Sequence, residues 1–217
     1  MDRAIPFKAQ MVKAILREIE CPGTGKTQTR PVLPAGNVLE DIASEAAEDL
    51  ELRGWFGFAR EDMLCAARIN IGAGDRLWVR EEWKTTALYD TTSPRDLPRS
   101  APIHYMSHDR LWPVAQCRAG MFMPRWASRI TLYATDVRVQ RLQDISEEDA
   151  WAEGVRNCGE ADGGRSIPGE GRDLFRSLWN TINGPGSWDD NPWVCAISFI
   201  PRLGNIDALP ATLEEAA

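Results

Sequence analysis

Cys21-Pro22-Gly23-Thr24-Gly25-Lys26-Thr27-Gln28-Thr29-Arg30-Pro31 is the stretch whose reading decides the fold. Taken as G-T-G-K-T, it has the look of a phosphate-binding loop, which would make the chain a parallel α/β nucleotide hydrolase. That motif needs a first glycine where Glu20 stands, and it follows a buried strand and opens a helix. Here Met11, Val12, Ile15, Leu16 and Ile19 recur at i, i+1, i+4, i+5 and i+8, the apolar face of a helix that precedes the loop. Pro31 and Pro34 oppose a helix after it. The context excludes a nucleotide triphosphatase.

Working outward, Gly74-Asp75 turns into Arg76-Leu77-Trp78-Val79-Arg80, which reads as a short strand. Ile130, Leu132, Val137 and Val139 alternate imperfectly between Arg129 and Leu142, which predicts two strands or one strand bulged near Thr135-Asp136. Ser146 and Asp149 then form an S-x-x-D capping box, with Ile145 as the outer half of a hydrophobic staple and Gly154 ending the helix after Glu153. Leu174, Phe175, Leu178, Trp179 and Ile182 mark another amphipathic helix, stopped at Asn183-Gly184. Trp193–Ile200 is a closing strand. Helices interrupting several short strands predict an α+β fold. One domain is expected over residues 1–203, with an insertion at 36–73 carrying an acidic helix at 38–52, a long loop at 86–120, and a flexible tail at 204–217.

Composition narrows the class. An apolar fraction of 43% and nine tryptophans are enough to bury a core. No apolar run reaches the roughly 18 residues that cross a bilayer, and Met1–Pro6 lacks a signal-peptide core, so a cytoplasmic setting is expected. Five scattered cysteines and two histidines, His104 and His108, show no metal-ligand spacing, so neither metal nor cofactor is expected. The net charge of −7 argues against coating nucleic acid through phosphates. Residues 110–141 nevertheless hold six arginines (110, 118, 125, 129, 138 and 141) against one acid, Asp136. A basic face on an acidic body fits a specific or small anionic partner.

Four segments together resemble the ASCH family of the PUA-like superfamily, and in particular the ASCH-like proteins of bacteriophages and prophages. They are Gly25–Arg30 with its preceding helix; Gly74-Asp75-Arg76-Leu77-Trp78-Val79-Arg80-Glu81-Glu82-Trp83; Phe122-Met123-Pro124-Arg125-Trp126 through Ile145-Ser146; and Asn191-Pro192-Trp193-Val194. They cover somewhat over half the chain in the family's order. The resemblance implies a PUA-like small β-barrel, a curled mixed sheet with flanking helices and inserted loops. It also implies a metal-independent amidohydrolase that removes the acetyl group from N(4)-acetylcytidine or a related modified nucleoside. Carried over by motif, the catalytic set falls on Lys26 as proton acceptor, Thr29 as nucleophile and Glu153 as proton donor. Two positions depart from the pattern: Thr24 stands where the family loop has glycine, and Pro31 where it has arginine, leaving Arg30 one place off.

The chemistry has its own logic. Amide hydrolysis needs a nucleophile, a base for its proton and an acid for the leaving amine. Lysine is rare in this chain, with four lysines (8, 13, 26 and 84) against twenty-one arginines. An amine that must lose a proton has to be lysine, because arginine keeps its charge. Arg30 stands close enough along the chain to favour a neutral Lys26. A carboxylate at a helix C-terminus, as at Glu153, is disfavoured as an anion, which suits a proton donor. Thr27, Arg30, Trp78, Arg80, Glu82, Arg125, Trp126 and Arg129 are the candidate substrate-binding residues. The tryptophans would stack a base, Glu82 would read a cytosine amine, and Arg125 and Arg129 would meet a phosphate. Two rival readings use other features. The arginine stretch would hold RNA, modified DNA or another single-stranded nucleic acid without catalysis, and the 38–52 helix would contact a protein partner of a phage accessory protein.

Overall fold

The computed structural model describes residues 1–34, 36, 38–39, 56–60, 63–108, 114–156 and 169–213. It is a mixed α+β structure. Its strands are β1 (Asp2–Pro6), β2 (Gln28–Thr29), β3 (Val38–Leu39), β4 (Phe56–Arg60), β5 (Met63–Ala67), β6 (Arg76–Arg80), β7 (Trp83–Lys84), β8 (His104–Tyr105), β9 (Ile130–Arg141) and β10 (Trp193–Leu203); its α-helices are α1 (Ala9–Glu20), α2 (Glu147–Ala152) and α3 (Glu170–Asn183). Five strands hydrogen-bond in the order β1-β6-β9-β10-β2. β1 runs parallel to β6, whereas β9 is antiparallel to β6 and β2 antiparallel to β10.

The closed barrel expected from the sequence is corrected by this sheet, which is open with β1 and β2 at its edges. Closure requires edge strands that pair along a common length. β2 is two residues long and pairs only Thr29 with Ile197 and Gln28 with Ser198. The chain clusters into two compact units: residues 1–27, 74–135 and 199–217, and residues 28–73 and 136–198.

In the first unit, the apolar face of α1 buries Val12 and Ile15 completely. Cys21 ends the helix with its backbone N–H on the Arg17 carbonyl. The loop beyond is strapped back onto α1. Glu18 accepts from the backbone N–H groups of Gly23 (2.9 and 3.1 Å) and Gly25 (2.7 Å), and Lys26 N–H bonds the Ala14 carbonyl. Gly25 is required there, because a Cβ would lie 2.3 Å from both Ala14 O and Glu18 N. β1, unforeseen in the sequence, pairs over its whole length with β6, and β8, inside the 86–120 stretch expected to be a long loop, pairs with β7 just before that stretch. Trp83, Leu97, Met123 and Ala127 form a core cluster with Trp126 packed against it.

The segment expected to be a flexible tail is fixed through Pro210. Arg76 Nη1 donates to the carbonyls of Ile206, Leu209 and Pro210, Tyr133 Oη donates to Pro210, and Ile206 is fully buried.

In the second unit, α2 and α3 cover a core of Leu142, Ile145, Ala150, Val155, Phe175, Trp179, Trp188 and Val194. Ser146 caps α2 as expected, accepting from Asp149 N at 3.0 Å. The staple partners Ile145 and Ala150 share that core. The N-terminus of α3 is capped from α2: Glu147 accepts from the N–H groups of Gly171 (2.6 Å) and Arg172 (3.2 Å). Gly171 permits this approach, since a Cβ would meet the Trp151 ring at 2.8 Å. The acidic helix expected at 38–52 begins as strand β3, paired with Ala67 and Ala66 of β5; its residues 40–52 lie outside those described.

Candidate functional site

Within the second unit, loop and helix meet at Arg30. Its Nη1 donates to Glu153 Oε1 at 2.7 Å and its Nη2 to Asp149 Oδ2 at 2.9 Å. The Arg30 and Glu153 side chains are both closed to solvent. Asp149 Oδ1 accepts from Gln28 Nε2 at 2.7 Å, and its Oδ2 also accepts from Arg138 Nη2 at 3.1 Å. The Arg30 guanidinium sits 6.0 Å from the centre of the Phe175 ring.

Arg30, expected to act on Lys26 or on substrate, is thus an ion-pair partner of two carboxylates. Glu153 is the C-cap of α2, one place beyond the last turn. Asp149 was expected to reciprocate the capping box, but its carboxylate faces Gln28, Arg30 and Arg138 instead. Thr29, between Gln28 and Arg30, is buried, and its hydroxyl has no hydrogen-bond partner among the described residues.

In the first unit, Lys26 is fully buried, and its Nζ lies 6.0 Å from the Phe7 ring centre. Thr27 is half-buried, and its carbonyl accepts from Phe199 N at 2.8 Å.

The expected substrate platform in this unit is differently used. Trp78 is 6% exposed and carries the Arg80 guanidinium 4.5 Å from its ring centre. Glu82 is exposed, and its neighbour Glu81 is the buried acid. Glu81 accepts from Arg129 Nε (2.9 Å) and Nη2 (3.1 Å) and from Ser107 Oγ (2.5 Å). Arg129 also stacks on Tyr105, 3.9 Å from the ring centre, and its Nη1 contacts His108 Nε2. A guanidinium only donates, so that imidazole nitrogen is the acceptor. Burial pushes the Tyr105 hydroxyl above its usual range, against the opposing charge of Arg129. Strand alternation pointed to Glu82; β6 ends at Arg80 and the alternation does not carry through to it.

The arginine stretch is bonded internally at each described position. Arg118 donates to the carbonyls of Thr92 and Tyr89, Arg125 to Asp207 and Asp2, Arg129 to Glu81, and Arg138 pairs with Asp136 and Asp149. Arg141 lies 4.3 Å from the centre of the Trp193 ring. Arg110 lies outside the described residues.

Among the described residues, no group of three or more His, Cys, Asp or Glu side chains is placed to hold a metal ion. No helix there is long and apolar enough to cross a membrane. Cys21 and Cys117 are exposed free thiols, whereas Cys65 and Cys195 are buried.

No protein-family model, no curated protein and no solved structure matches this chain.

Proposed function

We propose that the chain is an ASCH-like, PUA-related amidohydrolase that removes the acyl group of N(4)-acetylcytidine or a related modified nucleoside. The observation that carries this reading is the 2.7 Å bond between Arg30 of the loop and Glu153 of the helix end, residues 123 positions apart. It joins the two segments to which the family resemblance assigns catalytic residues. Two further features support it. Thr29, the position to which the resemblance assigns the nucleophile, is buried in β2 between Gln28 and Arg30. Lys26, three residues earlier in the chain, is the one lysine among the fully buried large side chains, and burial disfavours the charged form of an amine in general.

In this reading Thr29 Oγ bonds the acyl carbon while its proton passes to Lys26. The C–N4 bond then breaks as the proton taken up by Lys26 is relayed through the Glu153 carboxylate to the leaving amine, giving cytidine. Water next cleaves the acyl-threonine, releasing the carboxylic acid and restoring the hydroxyl. The reading that nucleic acid is held by a row of arginines has less support, because the described guanidiniums of that row already have partners within the chain.

The test is release of acetate and cytidine from N(4)-acetylcytidine by the purified protein, beside Lys26→Ala, Thr29→Val and Glu153→Gln. Turnover by the wild type and its loss in all three variants supports the proposal. A wild-type protein that leaves N(4)-acetylcytidine intact refutes it.

A further inference from the structure

We infer that Asp149 is a positioning residue, setting the geometry of Glu153 through the planar fork of Arg30; the inference rests on the deacylase reading above. Asp149 and Glu153 are four residues apart on one helical turn, where two like charges repel. Arg30 is inserted between them, one arm on each: Nη2 on Asp149 Oδ2 at 2.9 Å and Nη1 on Glu153 Oε1 at 2.7 Å. The arms of a guanidinium are rigidly coplanar, so rotating one to follow a moving carboxylate breaks the bond made by the other. Fixing Asp149 therefore fixes the direction from which Arg30 meets Glu153.

Asp149 is itself fixed. Gln28 Nε2 holds Oδ1 at 2.7 Å, Arg138 Nη2 holds Oδ2 at 3.1 Å, and the Ser146 hydroxyl holds its backbone N–H. A carboxylate accepts and does not donate, so the amide of Gln28 must present its nitrogen and leave its oxygen unused. That oxygen is indeed buried with no partner among the described residues, and so is Arg30 Nε. Each such orphan costs about 1–3 kcal/mol. A network built for stability alone would close them. The arrangement keeps the orientation of Arg30 at that cost, which fits a group that must hold another carboxylate in line with a leaving amine.

Proton delivery falls steeply with misplacement, and a shift of about 1 Å can lower a rate by about 100-fold. The experiment measures kcat and KM for acetate release from N(4)-acetylcytidine in the wild type, Asp149→Asn, Arg30→Lys and Arg138→Leu, per mole of protein folded by near-UV circular dichroism. Asp149→Asn is expected to lower kcat about 10- to 100-fold with KM within about twofold. Arg30→Lys, which keeps the charge and loses the fork, is expected to fall as far, and Arg138→Leu a fewfold. Unchanged kcat in Asp149→Asn, full activity in Arg30→Lys, or a change confined to KM overturns the inference while leaving the deacylase reading standing. A wild type without turnover overturns both. If Asp149→Asn does not fold, Arg138→Leu decides, because its side chain is 45% exposed; an unchanged kcat there overturns the inference.

Discussion

Arg30 and Glu153 form an ion pair of 2.7 Å in which neither side chain has more than 1% of its surface open to solvent. Removing one member of such a pair leaves an uncompensated buried charge, at a cost of about 3–5 kcal/mol. Arg30→Met and Glu153→Leu are each expected to lose that much in urea unfolding, and the double variant to lose clearly less than the sum. Additive losses would show that the two side chains, 123 positions apart, do not interact.

Gly25 and Gly23 separate two effects of glycine in one loop. At Gly25 an added Cβ would meet backbone at 2.3 Å, so Gly25→Ala must move the loop off α1. A loss of about 1–3 kcal/mol is expected. Gly23 has φ +83 with nothing within 4 Å of the added carbon, so Gly23→Ala carries only the left-handed strain of about 1 kcal/mol. Equal Tm shifts for the two would contradict the strapped loop.

Burial pushes the Cys195 thiol up to about 11. It should stay protonated and unreactive toward iodoacetamide at pH 8, and buried Cys65 should be shielded from the reagent, while the exposed Cys21 and Cys117 are alkylated. Site-resolved mass spectrometry of the native protein checks this, and modification of Cys195 before unfolding would contradict its placement in β10.

Burial raises the Asp2 carboxyl, but hydrogen bonds from Arg125 and Arg76 outweigh it and hold the group below its ordinary range. A carboxyl depressed in the folded state contributes stability above its unfolded pKa and loses it as pH falls through the folded one. Asp2→Asn should therefore lower stability at neutral pH, by no more than about 1 kcal/mol for a pair this open. It should also flatten the loss seen below pH 4 in urea melts. Identical acid slopes for wild type and variant would rule out this linkage.

What the sequence made legible was local. The 3.6-residue spacing placed α1 and the body of α3, the Ser146 cap placed α2, and apolar alternation placed β6 and β10. The broken alternation before Leu142 belongs to one strand and not to two. β9 is one continuous strand, buried through Ala134 and open from Thr135, so its apolar pattern changes where its surroundings change. β1 was illegible because its partner lies 74 residues away and Asp2-Arg3-Ala4-Ile5-Pro6 shows no polar–apolar alternation. Glu81 was missed for Glu82 because the choice depends on where β6 ends. The resemblance pointed to Arg30 and Glu153 separately; nothing in the primary chain shows that they touch, or that Asp149 completes them.

The carboxylate of Glu18 gives the G-T-G-K-T string its meaning. In nucleotide hydrolases such a loop offers its amides to a polyphosphate brought from outside. Here two of those amides are already satisfied by an acid from the helix next door, so the loop is neutralised by its own chain and has no appetite for ATP or GTP. The glycine-rich signature here marks a self-contained structural clasp, which a search by motif alone would misread.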